Sequence, residues 1–368
     1  MAKAPTVYDV ADHAGVSIAT VSRVLRQPDA VRPETRARVL ESVRDLGYVP
    51  SGSARGLAGR RTGVLGLFLP GHDSLEVPDV TDASGSLPIL TSAIPLIDDR
   101  ETLASPPSTG FYFDEVLRGA EVEAWRHGFA LMVAAGRGPS RDAMINDIAG
   151  RVDGLAVIAQ TVPADMLAHV SRRIPVVVLA DSRPDDSVDH VGVDNAGGMR
   201  ALTRQIVTAH DVGSLVYVSG PADSPDEADR HAGLEAGLLD GRFAGSRRII
   251  TGTFGRERGR EVGEHLVDTN TVPDAVICAN DQTALGVLDV FASRGVDVPG
   301  RVLVTGFDGI EAGRFSIPRL TTVRQPMAEL GRAAVRTIVA RLADASLPPQ
   351  RVTLPVQILL RESAPPTP

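Results

Sequence analysis

Ile18, Ala19 and Arg23 stand in a stretch, SIATVSRVL, whose chemistry suits the edge of a base pair. An arginine can donate two parallel hydrogen bonds to guanine O6 and N7, and small apolar side chains can pack on a thymine methyl. Thr6, Ser17, Thr20 and Ser22 carry hydroxyls fit for helix caps or phosphate contacts, which fix position and not sequence. Catalytic groupings are lacking. Lys3 is the sole lysine, so no phosphate loop ends in Gly-Lys-Ser/Thr, and neither an HExxH helix nor a G-x-S-x-G elbow occurs. The eight histidines are scattered without ligand spacing, and Cys278 is the single cysteine. Asp98-Asp99 and Asp185-Asp186 read as solvated loop acids. An enzyme, a disulfide framework and a cysteine-based metal site are therefore not expected, and no cofactor is.

The elements that would hold Arg23 are short helices. Val7, Val10, Ala11 and Ala14 have helical spacing, Gly15 suits a tight turn, and Ser17 can cap a second helix. In that helix Val21, Val24 and Leu25 face inward, while Ile18, Ala19, Ser22 and Arg23 face outward or sideways. Pro33 opens a third helix with Val39, Val43 and Leu46 as its apolar stripe, and Gly47 can close it. Two helices about a Gly-Val turn, backed by a third, make a helix-turn-helix head whose second helix would enter a major groove.

The chain is long enough for two or three domains, and its net charge of −8 seems to oppose a nucleic-acid partner. The distribution reverses that. Residues 1–62 hold ten Lys/Arg against six Asp/Glu, a balance of +4, which leaves −12 on the remainder. No run of 18 apolar residues occurs and the start lacks a signal-peptide core, so a cytoplasmic protein without a membrane partner is expected.

The runs DVADHAGVS-x-x-TVSRVL and GYVP-x-x-x-AR-x-L resemble the head and hinge of the lactose-repressor/galactose-repressor (LacI/GalR) family of bacterial transcriptional regulators. The match is dense over the first 70 residues and looser beyond. It implies a head at 1–49 and a hinge at 50–62 in which Ala54, Arg55 and Leu57 contact DNA. Leu57 occupies the position of the leucine that the family wedges into the minor groove. Gly52 and Gly56 weaken a hinge helix by about 1 kcal/mol each relative to alanine.

From residue 63 apolar runs of strand length alternate with helical segments: VLGLFLP, FALMVAAG, LAVIAQ, PVVVLAD, LVYVSGP, RIITGTF, AVICAND and VLVTGFD. That rhythm indicates parallel α/β units, in two subdomains at this length. The resemblance extends through LRGAE, RVDGL, GVDNAGG, GPADSPDEADRHAG, ANDQTALG, TGFDG, LTTVRQP and LGRAA. It implies a two-lobed, periplasmic-binding-protein-like effector and dimerisation domain over 63–363 and a tail at 364–368. Lobe 1 would take about 63–192 and 325–350, and lobe 2 about 193–321 and 351–363.

By the same resemblance Arg230, Asp308, Phe254 and the pair Tyr112 and Phe113 would meet a small-molecule effector between the lobes. Arg230 could fork onto two hydroxyls or a carboxylate, Asp308 could accept from sugar hydroxyls or an amine, and Phe254 could stack. Asn280 and Asp281 at a strand end, with Ser224 and Asp226 before Arg230, could add contacts. The expected protein is a homodimeric regulator, usually a repressor, on a palindromic double-stranded operator. A sugar or derivative is the first choice of effector, and a purine or nucleoside or a protein partner the alternative. A solute-binding module is the reading of another class, and the basic head argues against it.

Two pocket positions depart from the family pattern: Gly110-Phe111 replaces Asn-Pro, and Leu234 replaces an aromatic, so a relative's ligand does not carry over. The largest departure is an insertion at 71–110 with five prolines, six serines and seven acids against one arginine, expected to be an extended acidic loop.

Overall fold

The computed structural model describes residues 5–48, 61–70, 110–136, 141–180 and 188–366. Ala54, Arg55, Leu57 and nearly all of the insertion, 71–109, lie outside the described residues. Residues 1–62 form one unit and 63–368 another.

In the first unit, α1 (Val7–Ala14), α2 (Ile18–Arg26) and α3 (Pro33–Asp45) enclose a small core of Val10, Ala11, Ala14, Val21, Val24 and Val39. Thr6 caps α1 reciprocally: its hydroxyl accepts from Asp9 N–H, and the Asp9 carboxylate accepts from Thr6 N–H at 2.6 Å. Gly15 ends α1 at φ 63°, a left-handed conformation that costs glycine nothing. Ser17 caps α2, and Pro33 starts α3 where a missing N–H costs no bond.

The second unit contains two six-stranded sheets. Its elements run β1 (Val64–Pro70), α4 (Gly110–Arg126), β2 (Ala130–Gly136), α5 (Arg141–Arg151), β3 (Gly154–Ile158), α6 (Ala164–Ser171), β4 (Val176–Leu179) and β5 (Asp189–Val193). Then come α7 (Asn195–Ala209), β6 (Ser214–Val218), α8 (Pro225–Asp240), β7 (Ser246–Ile250), α9 (Arg256–Asp268), β8 (Ala275–Cys278), α10 (Asp281–Ser293) and β9 (Leu303–Asp308). The chain closes with α11 (Glu311–Phe315), β10 (Thr321–Arg324), α12 (Met327–Ala343), β11 (Arg351–Leu354) and β12 (Gln357–Leu359).

The first sheet has the order β11-β5-β4-β3-β1-β2 and the second β12-β10-β9-β8-β6-β7. All pairings are parallel except β10 with β12. Central strands such as β3, β4 and β8 are buried along their whole length, as strands covered by helices on both faces must be.

Two sequence readings need correction. Residues 351–363 do not all finish in the second lobe: β11 extends the first sheet beside β5, and only β12 joins the second. Pro355 falls between them, where a residue without an N–H ends the ladder. The second concerns β5, whose Asp189 and His190 break the apolar run that would mark a strand. Both are buried, and Asp189 accepts from Arg341 of α12 and from Gln350 N–H.

The chain crosses between the sheets three times, at Asp194, at Gln325–Pro326 and at Pro355–Val356. The carboxyl ends of β3, β4, β8 and β9 therefore meet at one cleft, where open α/β sheets hold ligands.

Candidate functional site

A cavity of about 220 Å³ lies in that cleft. Tyr112, Phe113, Ile158, Ala159, Gln160 and Ala180 line it from the first lobe. Ser224, Asp226, Arg230, Phe254, Asn280 and Asp308 line it from the second, joined by Pro225, Gln282 and Ile310. Four lining residues adopt left-handed or related backbone: Gln160 at φ 63°, Ala180 at 58°, Phe254 at 63° and Asp308 at 121°. Such conformations cost of order 1–3 kcal/mol each and gather where a site over-determines them.

Arg230 lines the cavity and is only 3% exposed. Its Nε donates to Asn195 Oδ1 at 2.9 Å and its Nη1 to the Ala279 carbonyl at 2.7 Å. Phe307 lies under the guanidinium, 4.0 Å from ring centroid to Cζ, and Phe254 stands 5.6 Å away. Only Nη2 turns toward the carboxylates, 3.7 Å from Asp226 Oδ2 and 3.6 Å from Asp308 Oδ1. The fork expected for a carboxylate ligand is thus spent on the protein, and two carboxylates flank what remains.

Asp226 also accepts from Asn195 Nδ2 at 2.9 Å, so Asn195 ties it to Arg230. Asp308 accepts from Gln325 Nε2 at 2.7 Å. Burial pushes its carboxyl up to about 6 against the pull of Arg230 and Gln325. Burial, then Asp226 and Asp308, raises the Tyr112 hydroxyl well above its usual range, so it stays a protonated donor. Tyr112 and Phe113 meet edge to face at 5.3 Å. Ser224 caps α8 through Glu227 N–H. Asn280 caps α10 and donates its amide to the Phe254 carbonyl at 2.9 Å, pinning the loop that presents the Phe254 ring. Gln160 reaches across the mouth to the Asp223 carbonyl.

Asp281 is the one effector candidate that does not line the cavity. It is fully buried, and its carboxylate holds the loop after β9 through Gly309 and Ile310 N–H at 2.8 and 2.9 Å. Consecutive helical residues point about 100° apart. With Asn280 facing the cavity as the cap of α10, Asp281 faces beneath it. Asn195, Gln160, Ala180, Gln325 and Phe307 were not anticipated. Leu234 is buried in the core of α8 and is no cavity residue.

On the head, Ile18 (40% exposed), Ala19 and Arg23 share the open surface of α2. Thr6 and Ser17 serve as caps, Thr20 is bonded to Ser17 at 2.9 Å, and Ser22 is half-buried. Among the described residues no His/Cys/Asp/Glu group could hold a metal ion, and no helix is long and apolar enough to cross a membrane.

A helix-turn-helix unit together with a two-lobed α/β unit holding a cleft defines a ligand-responsive regulator of the DNA-binding class. The bacterial regulatory protein lacI family model matches residues 6–51, and the periplasmic binding protein-like domain model matches 211–364. Catabolite control protein A of Priestia megaterium is 27% identical over 97% of this chain and 98% of its own. The HTH-type transcriptional regulator CelR of Thermobifida fusca is 29% identical over 98% of both. Among solved structures, a CelR–cellobiose complex matches with TM-score 0.66 and 26% identity over 98% of this chain and 99% of that one. The lac repressor dimer bound to operator and an anti-inducer matches in fold, with TM-score 0.77 and 22% identity over 99% of this chain and all of that one. The chain belongs to the lacI family: it is a DNA-binding transcriptional regulator with a periplasmic-binding-protein-like effector domain, and not an enzyme.

Proposed function

We propose that this regulator acts in the cytoplasm as a homodimeric repressor on a palindromic operator, and that a neutral, hydroxyl-rich small molecule, a sugar or sugar derivative, controls it from the cleft. The observation that carries the ligand class is the state of Arg230. Its Nε and Nη1 are already bonded, and Asp226 and Asp308 stand beside Nη2. An anionic ligand would meet two carboxylates and no free fork, whereas hydroxyls can donate to Asp226 and Asp308 and accept from Nη2. Phe254 and Tyr112 supply faces for a sugar ring. The cellobiose complex of the CelR regulator and the operator-bound lac repressor dimer support the class and the assembly.

In this reading Arg23, Ile18 and Ala19 read base edges, while Thr6, Ser17, Thr20 and Ser22 sit near phosphates. Ala54, Arg55 and Leu57 act in the hinge. The head takes 1–49, the hinge 50–62 and the effector domain 63–363. Ligand preference for one inter-lobe arrangement shifts the DNA-competent population, and a coupling of about 1–3 kcal/mol changes operator affinity by about 5–150-fold.

Thermal unfolding against matched panels of neutral sugars, sugar acids and nucleosides tests it, since a native-state ligand stabilises by mass action. A neutral sugar is expected to raise the melting temperature of the wild type and not of Phe254→Ala. A hit confined to sugar acids would overturn the ligand class, and one confined to nucleosides would reassign Phe254 to a base.

A further inference from the structure

A second cleft, of about 1000 Å³, opens beside the crossings at Gln325–Pro326 and Pro355. Its lining includes α4 and α12 of the first lobe and α11, β10 and β12 of the second. It touches the effector cavity only at Ile310. Five arginines face it: Arg118, Arg314, Arg324, Arg332 and Arg361. The acids in the same lining are Asp114, Glu115, Glu311 and Glu329.

The two signs are not evenly mixed. Asp114, Glu115 and Glu329 belong to the first-lobe wall, and Glu329 is engaged by Arg332 and Arg336. The second-lobe wall carries Arg314, Arg324 and Arg361 against Glu311. Among the described residues none of these three arginines has a carboxylate within ion-pair distance. Arg324 rests on the Gln357 side-chain carbonyl, and Arg361 donates to the Leu320 carbonyl at 3.1 Å. Both are neutral acceptors. Burial, and after it the positive charge of Arg314, Arg319 and Arg324, lowers the Arg361 guanidinium from its ordinary range, against the pull of Asp281. On the opposite wall Arg332 Nε is withdrawn from solvent without an acceptor among the described residues. The cleft is therefore short of negative charge on one side and of an acceptor on the other.

We propose that this cleft is a second ligand site, for a small polyanion of the phosphate class, held by Arg314, Arg324 and Arg361 at the second and third crossings. Guanidinium forks match tetrahedral oxyanions in pairs, and arginine sheds water more readily than lysine, so converging arginines favour a phosphate over a halide. Apart from Ile310, the site is distinct from the effector cavity in residues, and it is distinct in charge. That cavity presents Asp226 and Asp308 and repels such an anion, while this wall attracts it. Because the lining comes from both lobes next to the crossings, occupancy acts on the same inter-lobe equilibrium.

Isothermal titration of the full chain with inorganic pyrophosphate, at ionic strength held constant with potassium chloride, tests the assignment. The wild type is expected to give a saturable isotherm. Arg314→Gln/Arg361→Gln is expected to weaken it at least tenfold, and Phe254→Ala to leave it unchanged. Arg314→Gln alone, on an exposed side chain, should weaken binding several-fold, and it serves if the double variant does not fold. No saturable heat, or undiminished binding by the Arg314→Gln variant, which would point to the basic head, overturns the site.

Discussion

Asp281 illustrates how one buried group can serve a site without touching it. Its carboxylate accepts from Gly309 and Ile310 N–H, and from the Thr322 hydroxyl at 2.6 Å. It thereby ties the loop bearing Asp308 and Ile310 to the strand leading into the second crossing. Burial, and then the Asp308 charge, pushes Asp281 up to about 8. Burial, and then the charge of Asp281, raises the Cys278 thiol, and the same carboxylate pulls the Arg361 guanidinium upward. A carboxyl raised in the folded state binds its proton more tightly there than in the unfolded chain. Its contribution is full below about pH 4, the unfolded value, and is lost as pH rises through about 8. The amide of Asp281→Asn reproduces the protonated form, accepting from the loop and donating to Thr322. The variant is expected to match wild-type stability at about pH 4 and below. It should become progressively the more stable as pH rises from about 4 to 8, by up to roughly 1.4 kcal/mol for each pH unit of that window. Calorimetric melting of both proteins from about pH 4 to 9 checks this, and parallel curves would refute it.

At the same scale, the placement of Arg230 and Asp308 in the cavity lining was legible from their motifs, and for Asp308 motif and strand end coincide. Asn195, Gln160 and Gln325 were not, since no spacing along the chain reveals which loop ends meet across a cleft. Asp281 was misplaced for a local reason: adjacency to Asn280 suggests a shared direction that the first turn of α10 forbids.

At the scale of elements, the sequence stations LRGAE and LGRAA acquire a cause. Gly119 of α4 and Gly331 of α12 sit where the two helices pass: a methyl on Gly119 would overlap the Ala328 carbonyl, and one on Gly331 the Val116 carbonyl. Gly259 and Gly286 do the same for α9 and α10. The apolar rhythm made parallel α/β units readable, but it could not announce β5, whose buried Asp189 and His190 look like a loop until Arg341 pairs with the carboxylate. Nor could it divide VTLPVQILL between two sheets. Because backbone carbonyls cannot yield as flexible side chains do, Gly119→Ala must separate α4 from α12. A cost of about 1–3 kcal/mol is expected, as for overpacking. Calorimetry should register it as a lower melting temperature of the effector domain, with helical signal of the head retained. An unshifted transition would mean that the helices slide apart without loss.

For the whole molecule, the charge division decides which surface can meet DNA. Residues 1–62 carry +4 and the remainder −12. The effector domain has local basic patches, Arg247 and Arg248 on the exposed edge strand β7 among them. Yet Arg247 is paired to Glu235, and the field over a polyanion sums all the charges within a screening length. Association with a random-sequence duplex measures this term without knowledge of the operator, because non-specific binding is almost wholly counterion release. The full chain should bind such a duplex at 50 mM salt and lose affinity steeply by 200 mM, with a slope of about −0.9 for each phosphate neutralised. Residues 63–368, a separate unit in the structure, should bind no duplex at either salt. Retention of binding by that fragment would move the DNA contact onto β7 and its neighbours, and the head could then no longer be its sole seat.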